Sequence, residues 1–299
     1  MANGAVRIVE VGPRDGLQNE SSILSAEDRI AFIEKLLAAG LDTVEAGSFV
    51  SPKWVPQMQG TADVLDGLAG STARLPVLVP NLIGLEAAIA AGAREIAVFA
   101  SASETFSRKN LNCFIDESIE RYMPVIETAL DAGLAVRGYI SCVLGCPYEG
   151  KVETGAVTRL ASILHGLGCY EISLGDTIGV GTVGEVRNLL RAVAGEVPLD
   201  GQAVHFHDTY GQALANIYGA LEEGVSVIDA SAGGLGGCPY ARGASGNVAT
   251  EAVVYMLNGL GVETGVSMPK LFDAVDFIST KLGKPPASAV YKALCGGVA

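Results

Sequence analysis

A repeated helix-glycine-strand unit constrains the fold of this chain more than any other feature. Five helix-like stretches end at Gly40, Gly92, Gly133, Gly168 and Gly224, and a short β-branched segment follows each one. Glycine just past a helix can adopt the left-handed conformation that closes it, so each unit is predicted to be helix, cap and strand. Further strands near 6–11, 75–79 and 202–207 bring the predicted number to eight.

Alternating strands and helices predict an α/β fold with a parallel sheet, and eight of each favour a closed (β/α)8 TIM barrel. An open doubly wound sheet is the alternative, weakened because no GxGxxG or GxxxxGK[ST] loop follows an early strand. The 299 residues suit a single TIM-barrel catalytic domain over 1–299. We expect the barrel over about 5–267, its first helix capped by Ser25. An appended helix from Lys270 to Leu282 and a loose end rich in Pro and Gly should occupy about 268–299.

Composition argues against several classes of partner. The net charge of −13 disfavours nucleic acid and anionic membranes, because both require a basic surface. No apolar stretch is long enough to span a bilayer, and the start lacks the pattern of a signal peptide. The six cysteines form no CxxC pair, which is typical of reduced thiols. We therefore expect a cytoplasmic protein, or one of an organelle matrix if a transit peptide has been removed.

Two of the three histidines in the chain, His205 and His207, occur at the end of a predicted strand. Residues two apart in a strand point to the same side, so both imidazoles can reach one small ion. The alternative is a pair of strand histidines satisfied by hydrogen bonds. The pattern indicates half of a metal site.

Ionisable residues also occur at the ends of other predicted strands. Arg14 and Asp15 follow strand one, Glu45 ends strand two and Asp176 ends strand six. In TIM barrels the chemistry collects where strands end, so these side chains should converge on one rim. A helix cap or loop salt bridge remains the alternative for Asp176 taken alone. Several ionisable groups converging on one rim are costly to solvate unless a metal or ligand uses them.

The predicted ligands suggest an open catalytic metal site. Asp15 with two neutral imidazoles leaves positions for water and substrate, and Asn247 could add a carbonyl oxygen. This mixture of nitrogen and oxygen donors allows Mg²⁺, Mn²⁺, Co²⁺ or Zn²⁺. The loop 233–247 holds many glycines and could carry Cys238 towards the rim as a flexible lid; a turn with an incidental cysteine is the alternative.

Long motifs resemble the hydroxymethylglutaryl-CoA lyase family over nearly the whole chain. They are VGPRDGLQNE at 11–20, GSFVSPKWVPQM at 47–58, RKNLNC at 108–113, LGDTIG at 174–179, HFHDTYGQA at 205–213 and GGCPYARGASGNVATE at 236–251. The Arg-Asp and HxH elements are shared with related synthases and aldolases, whereas the GGCPY loop points to the lyases. The resemblance implies cleavage of (S)-3-hydroxy-3-methylglutaryl-CoA into acetoacetate and acetyl-CoA, a step of leucine degradation and ketone-body metabolism.

The resemblance also implies a role for each site residue. Asp15, His205, His207 and Asn247 would hold the divalent cation, most simply Mg²⁺ or Mn²⁺, and no organic cofactor is needed because coenzyme A belongs to the substrate. Arg14 would donate to the thioester oxygen. Cys238 would protonate the enolate or exchange the hydroxyl proton through water, and we favour the protonating role. Glu45, Asp176 and Glu251 would orient the metal ligands and Arg14. For the phosphates of coenzyme A, position alone suggests Lys53, Arg108, Lys109 and Asn110, and ordinary solvated surface charge is the alternative for each.

Other interpretations remain open at this stage. A synthase running the condensation should carry an added regulatory domain, for which the chain has no room. A scaffold protein without turnover should have lost Arg14, Asp15, His205, His207 or Cys238, and all are present. We expect a homodimer, and we expect Cys295 to be an inert exposed thiol instead of a redox switch.

Overall fold

Eight parallel strands close into a barrel in this computed structural model, which describes residues 6–237 and 245–295. The strands are β1 (Arg7–Glu10), β2 (Thr43–Val44 and Gly47–Ser48), β3 (Val77–Leu78), β4 (Glu95–Ser101), β5 (Ala135–Ser141), β6 (Glu171–Asp176), β7 (Gln202–Phe206) and β8 (Val227–Ala230). The first piece of β2 pairs with β1 and the second with β3. This double pairing returns the strand order to its start, which confirms the TIM barrel and rules out the open sheet.

Helices follow the strands on the outside of the barrel. They are α1 (Ala26–Ala38), α2 (Thr61–Gly67), α3 (Leu82–Ala90), α4 (Glu104–Leu111), α5 (Ile115–Asp131), α6 (Thr154–Gly166), α7 (Val183–Val193), α8 (Ala213–Glu223), α9 (Thr250–Gly259), α10 (Met268–Leu282) and α11 (Ala289–Cys295). Short helical turns occupy Gly12–Gly16, Pro56–Met58, Leu199–Gly201 and Ala232–Gly234, and a hairpin joins Gly145–Cys146 to Gly150–Lys151. None of the helices in the described ranges is both long and apolar enough to cross a membrane.

The predicted glycine caps are confirmed. Gly40, Gly92, Gly133, Gly168 and Gly224 all have positive φ, between 78° and 108°. A side chain with a Cβ atom adopts this region only with strain, so glycine ends the helix and turns the chain towards the next strand. The predicted cap of α1 is also confirmed, because the Ser25 hydroxyl accepts the backbone N–H of Asp28 at 3.1 Å.

The inside of the barrel is partly polar, although branched apolar side chains usually fill this space. Arg137 of β5, almost fully buried, donates to Glu171 of β6 at 2.7 Å and to both carboxylate oxygens of Asp229 of β8 at 2.7 and 3.1 Å. Breaking such a buried ion pair is strongly destabilising, because the remaining partner keeps an uncompensated charge. The network therefore fixes these strands relative to one another beneath the rim.

The C-terminal end is more ordered than the sequence predicts. Helix α10 begins two residues before the predicted start, with Pro269 in its first turn. The prediction of a loose end is wrong for residues 283–295, because α11 forms there and Ser288 is buried. The Ser288 hydroxyl accepts the backbone N–H of Tyr291 at 3.2 Å and so caps α11.

Candidate metal centre

The turn that follows β1 places Arg14 and Asp15 at the carboxyl end of the barrel. The Arg14 guanidinium donates from Nε to Glu45 Oε2 and from Nη1 to Asp15 Oδ1, each at 2.8 Å. Burial disfavours the ionised form of Asp15, but the charges of Arg14 and of the two site histidines outweigh it and lower its pKa to about 2. Asp15 is therefore an anion at neutral pH, and Arg14 is held in place by two carboxylates.

The two histidines lie beside Asp15, as the sequence predicts. One ligand atom from each of Asp15, His205 and His207 lies within 4.8 Å of the others, and both histidines are buried. Burial, with His205 as a further cause, lowers the pKa of His207 to about 4. The imidazole of His207 is thus neutral at pH 7, the form in which it can bind a metal.

Asp229 orients His205, and sequence reasoning missed this residue. The two residues are direct partners in the register of β7 and β8, and His205 Nδ1 lies 3.2 Å from Asp229 Oδ2. If Nδ1 carries the proton that this contact requires, the Nε2 lone pair faces Asp15 Oδ2, 3.9 Å away. Ser173 fixes the carboxylate further, donating to Asp229 at 2.7 Å. The signal available in the sequence was an aspartate in the strand adjacent to the histidine strand.

Asn247 joins the same cluster. Its Nδ2 donates to Asp15 Oδ2 at 2.8 Å and to the Leu235 carbonyl at 3.2 Å. Among the described residues, its Oδ1 is buried and has no hydrogen-bond partner, and the same is true of Nδ1 of His207. Buried polar atoms normally have partners, and unpaired ones suggest a ligand or ion. A carboxylate, two imidazoles and an amide oxygen suit a divalent cation with open positions, so the residues fit the expected metal.

Other predicted site residues support backbone segments near the cluster. Asp176 accepts the N–H groups of Val180 at 3.2 Å and Gly181 at 2.7 Å, and its own carbonyl accepts the His207 N–H at 3.3 Å. Glu251 accepts the Gly233 N–H at 3.1 Å. Burial raises the pKa of Asp176 and of Glu251. Asp176 and Glu251 therefore accept hydrogen bonds from loops near the site. Of the three acids predicted to orient site residues, Glu45 contacts Arg14 directly.

The residues predicted for coenzyme A are near the surface. Arg108 and Lys109, on α4, line a pocket of about 440 Å³, stacked over the rings of Phe114 and Tyr148 at 5.2 and 4.6 Å. Asn110 follows them on the same helix, and Lys53 is exposed on the loop after β2. Cys238 lies outside the described residues. Among the described residues, the thiols of Cys113, Cys146 and Cys169 are buried and that of Cys295 is exposed.

The fold and this cluster define a class: a TIM-barrel protein with a carboxylate-imidazole site for a divalent cation at the carboxyl ends of its strands. Within that class, the chain belongs to the HMGL-like family, whose model matches residues 5–278.

Individual relatives agree with this assignment. The mitochondrial hydroxymethylglutaryl-CoA lyase of Mus musculus is 58% identical over 291 residues, covering 97% of this chain and 90% of the mouse protein. A Pseudomonas aeruginosa protein named 3-hydroxy-3-isohexenylglutaryl-CoA/hydroxy-methylglutaryl-CoA lyase is 58% identical over 292 residues and 97% of each chain. The structure of an HMG-CoA lyase from Acinetobacter baumannii with coenzyme A and 3-methylmalate superposes with a TM-score of 0.93 at 33% identity, covering 97% of this chain and 95% of that one. The resemblance found in the sequence is confirmed.

Proposed function

We propose that the protein is a metal-dependent carbon-carbon lyase that cleaves (S)-3-hydroxy-3-methylglutaryl-CoA into acetoacetate and acetyl-CoA. The observation that carries this proposal is the cluster of the half-buried Asp15 with the buried His205 and His207, with Arg14 in contact with Asp15, in a chain of this family. The reaction belongs to the oxo-acid lyases and serves leucine degradation and ketone-body metabolism.

The proposed cation is Mg²⁺ or Mn²⁺, held by Asp15, His205, His207 and Asn247. The unpaired buried atoms of His207 and Asn247 support this ligand set. A cation held there would polarise the substrate hydroxyl and so lower its pKa. The substrate supplies coenzyme A itself, and the proposal includes no organic cofactor.

Arg14 is proposed to stabilise the charge that develops during cleavage. The tertiary hydroxyl loses its proton, the bond between C2 and C3 breaks, and C3 becomes the ketone carbon of acetoacetate. The electron pair of the broken bond becomes the enolate of the acetyl thioester, whose oxygen would accept a hydrogen bond from Arg14. Because Glu45 and Asp15 already hold this guanidinium, little reorganisation is needed when the charge appears. Cys238 is proposed, from the sequence, to protonate C2 and complete acetyl-CoA. The proton that the hydroxyl releases, passed through water, would restore the Cys238 thiol, so that no net proton is gained or lost.

Arg108, Lys109, Asn110 and Lys53 are proposed to bind the coenzyme A part of the substrate. The pocket beside α4 supports this assignment, since Arg108, Lys109 and the Phe114 ring line it together with Glu117. Tyr148 lies against Lys109 outside this lining. Phosphates pair with such cations, and an adenine ring can stack on such aromatic side chains. Changing Arg108 and Lys109 together to Gln should raise KM for the acyl-CoA with little change in kcat. The same double change at Arg159 and Lys151 controls for lost surface charge, and equal KM values for the two variants would refute the assignment.

A longer substrate is the second candidate. It is favoured by the name of the Pseudomonas aeruginosa relative, which includes 3-hydroxy-3-isohexenylglutaryl-CoA as well as the methyl compound. Comparing kcat/KM for the two thioesters on the same preparation decides between them, because a pocket that accepts the longer chain should prefer it through added apolar burial.

The decisive assay measures acetoacetate release with Mg²⁺ or Mn²⁺, before and after chelation. We expect product with the cation and none after its removal; folded protein without product in either condition would support the scaffold alternative. Cys238→Ser should lower kcat by about two powers of ten or more while substrate still binds. Cys295→Ser, an exposed cysteine on α11, is the matched control and should leave turnover unchanged.

We also propose a homodimer in the cytoplasm or an organelle matrix. Light scattering on a sizing column tests the assembly. Fractionation of the source cells tests the compartment. The mouse relative is named mitochondrial and another relative comes from a bacterium, so the relatives do not decide it. If Cys295 is inert, a denaturing non-reducing gel after oxidant treatment should show no disulfide-linked dimer, and monomer should be the single band.

A further inference from the structure

The segment after α10 contacts the hinge that leads into the glycine-rich loop. The backbone N–H of Ala287 donates to the Gly233 carbonyl at 2.9 Å. A Cβ added to Gly233 would lie 3.5 Å from Pro286, and one added to Gly234 would lie 3.4 Å from Ala287. These contacts come from residues beyond position 278, where the match to the family model ends. The segment therefore packs against the barrel rim and is not a trailing end.

The hinge adopts a backbone conformation that needs external support. Gly233 and Gly234 are consecutive residues with positive φ, 71° and 67°. Glycine visits this region without steric penalty, but it also has many other accessible conformations in which the chain would run elsewhere. Two hydrogen bonds of Gly233 select the observed backbone conformation. Its N–H donates to Glu251 at 3.1 Å, and its carbonyl accepts from the N–H of Ala287.

The hinge in turn fixes a proposed metal ligand. The carbonyl of Leu235, directly after Gly234, accepts a hydrogen bond from Asn247 Nδ2 at 3.2 Å. The same Nδ2 donates to Asp15, which leaves Oδ1 as the unpaired atom of the amide. Gly236 also packs closely against the Asn247 amide, because a Cβ added to Gly236 would lie only 2.7 Å from Asn247 Nδ2. A shift of Leu235 would therefore change the direction in which Asn247 presents its oxygen.

We propose that residues 286–288 are positioning residues for the metal site: they hold the Gly233–Gly234 hinge so that Leu235 orients the Asn247 amide. Ser288 keeps this short segment in place, because its buried hydroxyl caps α11 immediately after Ala287. The inference rests on the proposed metal site but not on the identity of the substrate. Under this inference the C-terminal segment contributes to cation binding, although it is about forty residues along the chain from Asn247.

Replacing Ala287 by Pro tests this role directly, because proline removes the one N–H that reaches Gly233. Ala289→Pro is the matched control. Ala289 is the first residue of α11, where proline is well tolerated and no bond to the hinge is lost. Both variants are titrated with Mn²⁺ alone and followed by electron paramagnetic resonance, with thermal unfolding measured in parallel. We expect the Mn²⁺ Kd of Ala287→Pro to rise by about tenfold, and that of Ala289→Pro to stay within about twofold of the parent.

A purely structural role would lower Tm without changing the Mn²⁺ affinity of the folded protein, and that result would overturn the inference. If Ala287→Pro fails to fold, Ser288→Ala takes its place, with Ser25→Ala as a control for the loss of a helix cap. A Kd raised only by the Ser288 change supports the inference, and equal Kd values overturn it. A parent protein that binds no Mn²⁺ would instead overturn the proposed metal site itself.

Discussion

Replacing Asp229 by Asn should weaken both the fold and the metal site. The carboxylate accepts four contacts: two from Arg137, one from Ser173 and one from His205. An amide has a single acceptor oxygen, so its NH₂ group must face either the Arg137 guanidinium or the His205 Nδ1–H, and each of these is a donor. Breaking a buried pair costs about 3–5 kcal/mol, and the contact of Arg137 with Glu171 at 2.7 Å, which is kept, places this case at the lower end, about 3 kcal/mol.

The effect on cation binding should appear separately from the effect on stability. Without the carboxylate, the ring of His205 is free to rotate or change tautomer, and residues that orient metal ligands in this way are worth about 10- to 100-fold in affinity. We would measure urea unfolding and Mn²⁺ titration for Asp229→Asn, with Asp131→Asn at the exposed end of α5 as the control. A variant that keeps both its free energy of unfolding and its Mn²⁺ Kd would refute the assignment of His205 orientation to Asp229.

Three further measurements test a buried carboxyl at the end of β1 and two parts of the metal site. Burial raises the pKa of Glu10 in the folded protein from 4.5 to about 7. As pH rises between these values, the unfolded chain has lost the proton and the folded protein still holds it, so the free energy of unfolding falls. Glu10→Gln should remove this loss. In urea unfolding, the free energy of unfolding of the variant relative to that of the parent should rise by about 3 kcal/mol between pH 4.5 and pH 8, and parallel pH profiles would contradict the prediction. Gly236→Ala should raise the Mn²⁺ Kd by about tenfold because its Cβ would meet Asn247, whereas Gly92→Ala, also at positive φ but with open space, should not. Burial lowers the pKa of His205, but Asp229 and Asp15 outweigh it and raise that pKa above 6.5, so protons compete with the cation. Mn²⁺ affinity should therefore increase with pH through the His205 pKa and then level off, and a flat profile from pH 6 to 9 would exclude His205 as a ligand.

The sequence predicts the parts of this molecule that depend on local rules. Glycine caps such as Gly40 and Gly224 follow from one residue's conformational freedom, and the shared direction of His205 and His207 follows from strand geometry. Asp229 is different, because its role depends on the register between two strands joined by a helix. The support of Gly233 by Ala287 depends on where a segment more than fifty residues away packs. Neither contact leaves a periodic pattern in the sequence.

Paired and unpaired buried groups occupy two neighbouring layers of the metal centre. Below the rim, Asp229 uses both carboxylate oxygens, and the contacts it makes fix the strands and one imidazole. At the rim, the unpaired atoms of the described residues include Nδ1 of His207, Oδ1 of Asn247 and Oε1 of Glu45, on residues beside Asp15 and Arg14. Other unpaired atoms, such as Nε of Arg29 and Oε1 of Gln202, lie outside the site. Leaving such atoms unpaired costs about 1–3 kcal/mol each, so the arrangement is unfavourable unless a ligand satisfies them. A cation and a substrate rich in oxygen atoms would do so, and the rigid layer beneath keeps these groups in place until both arrive.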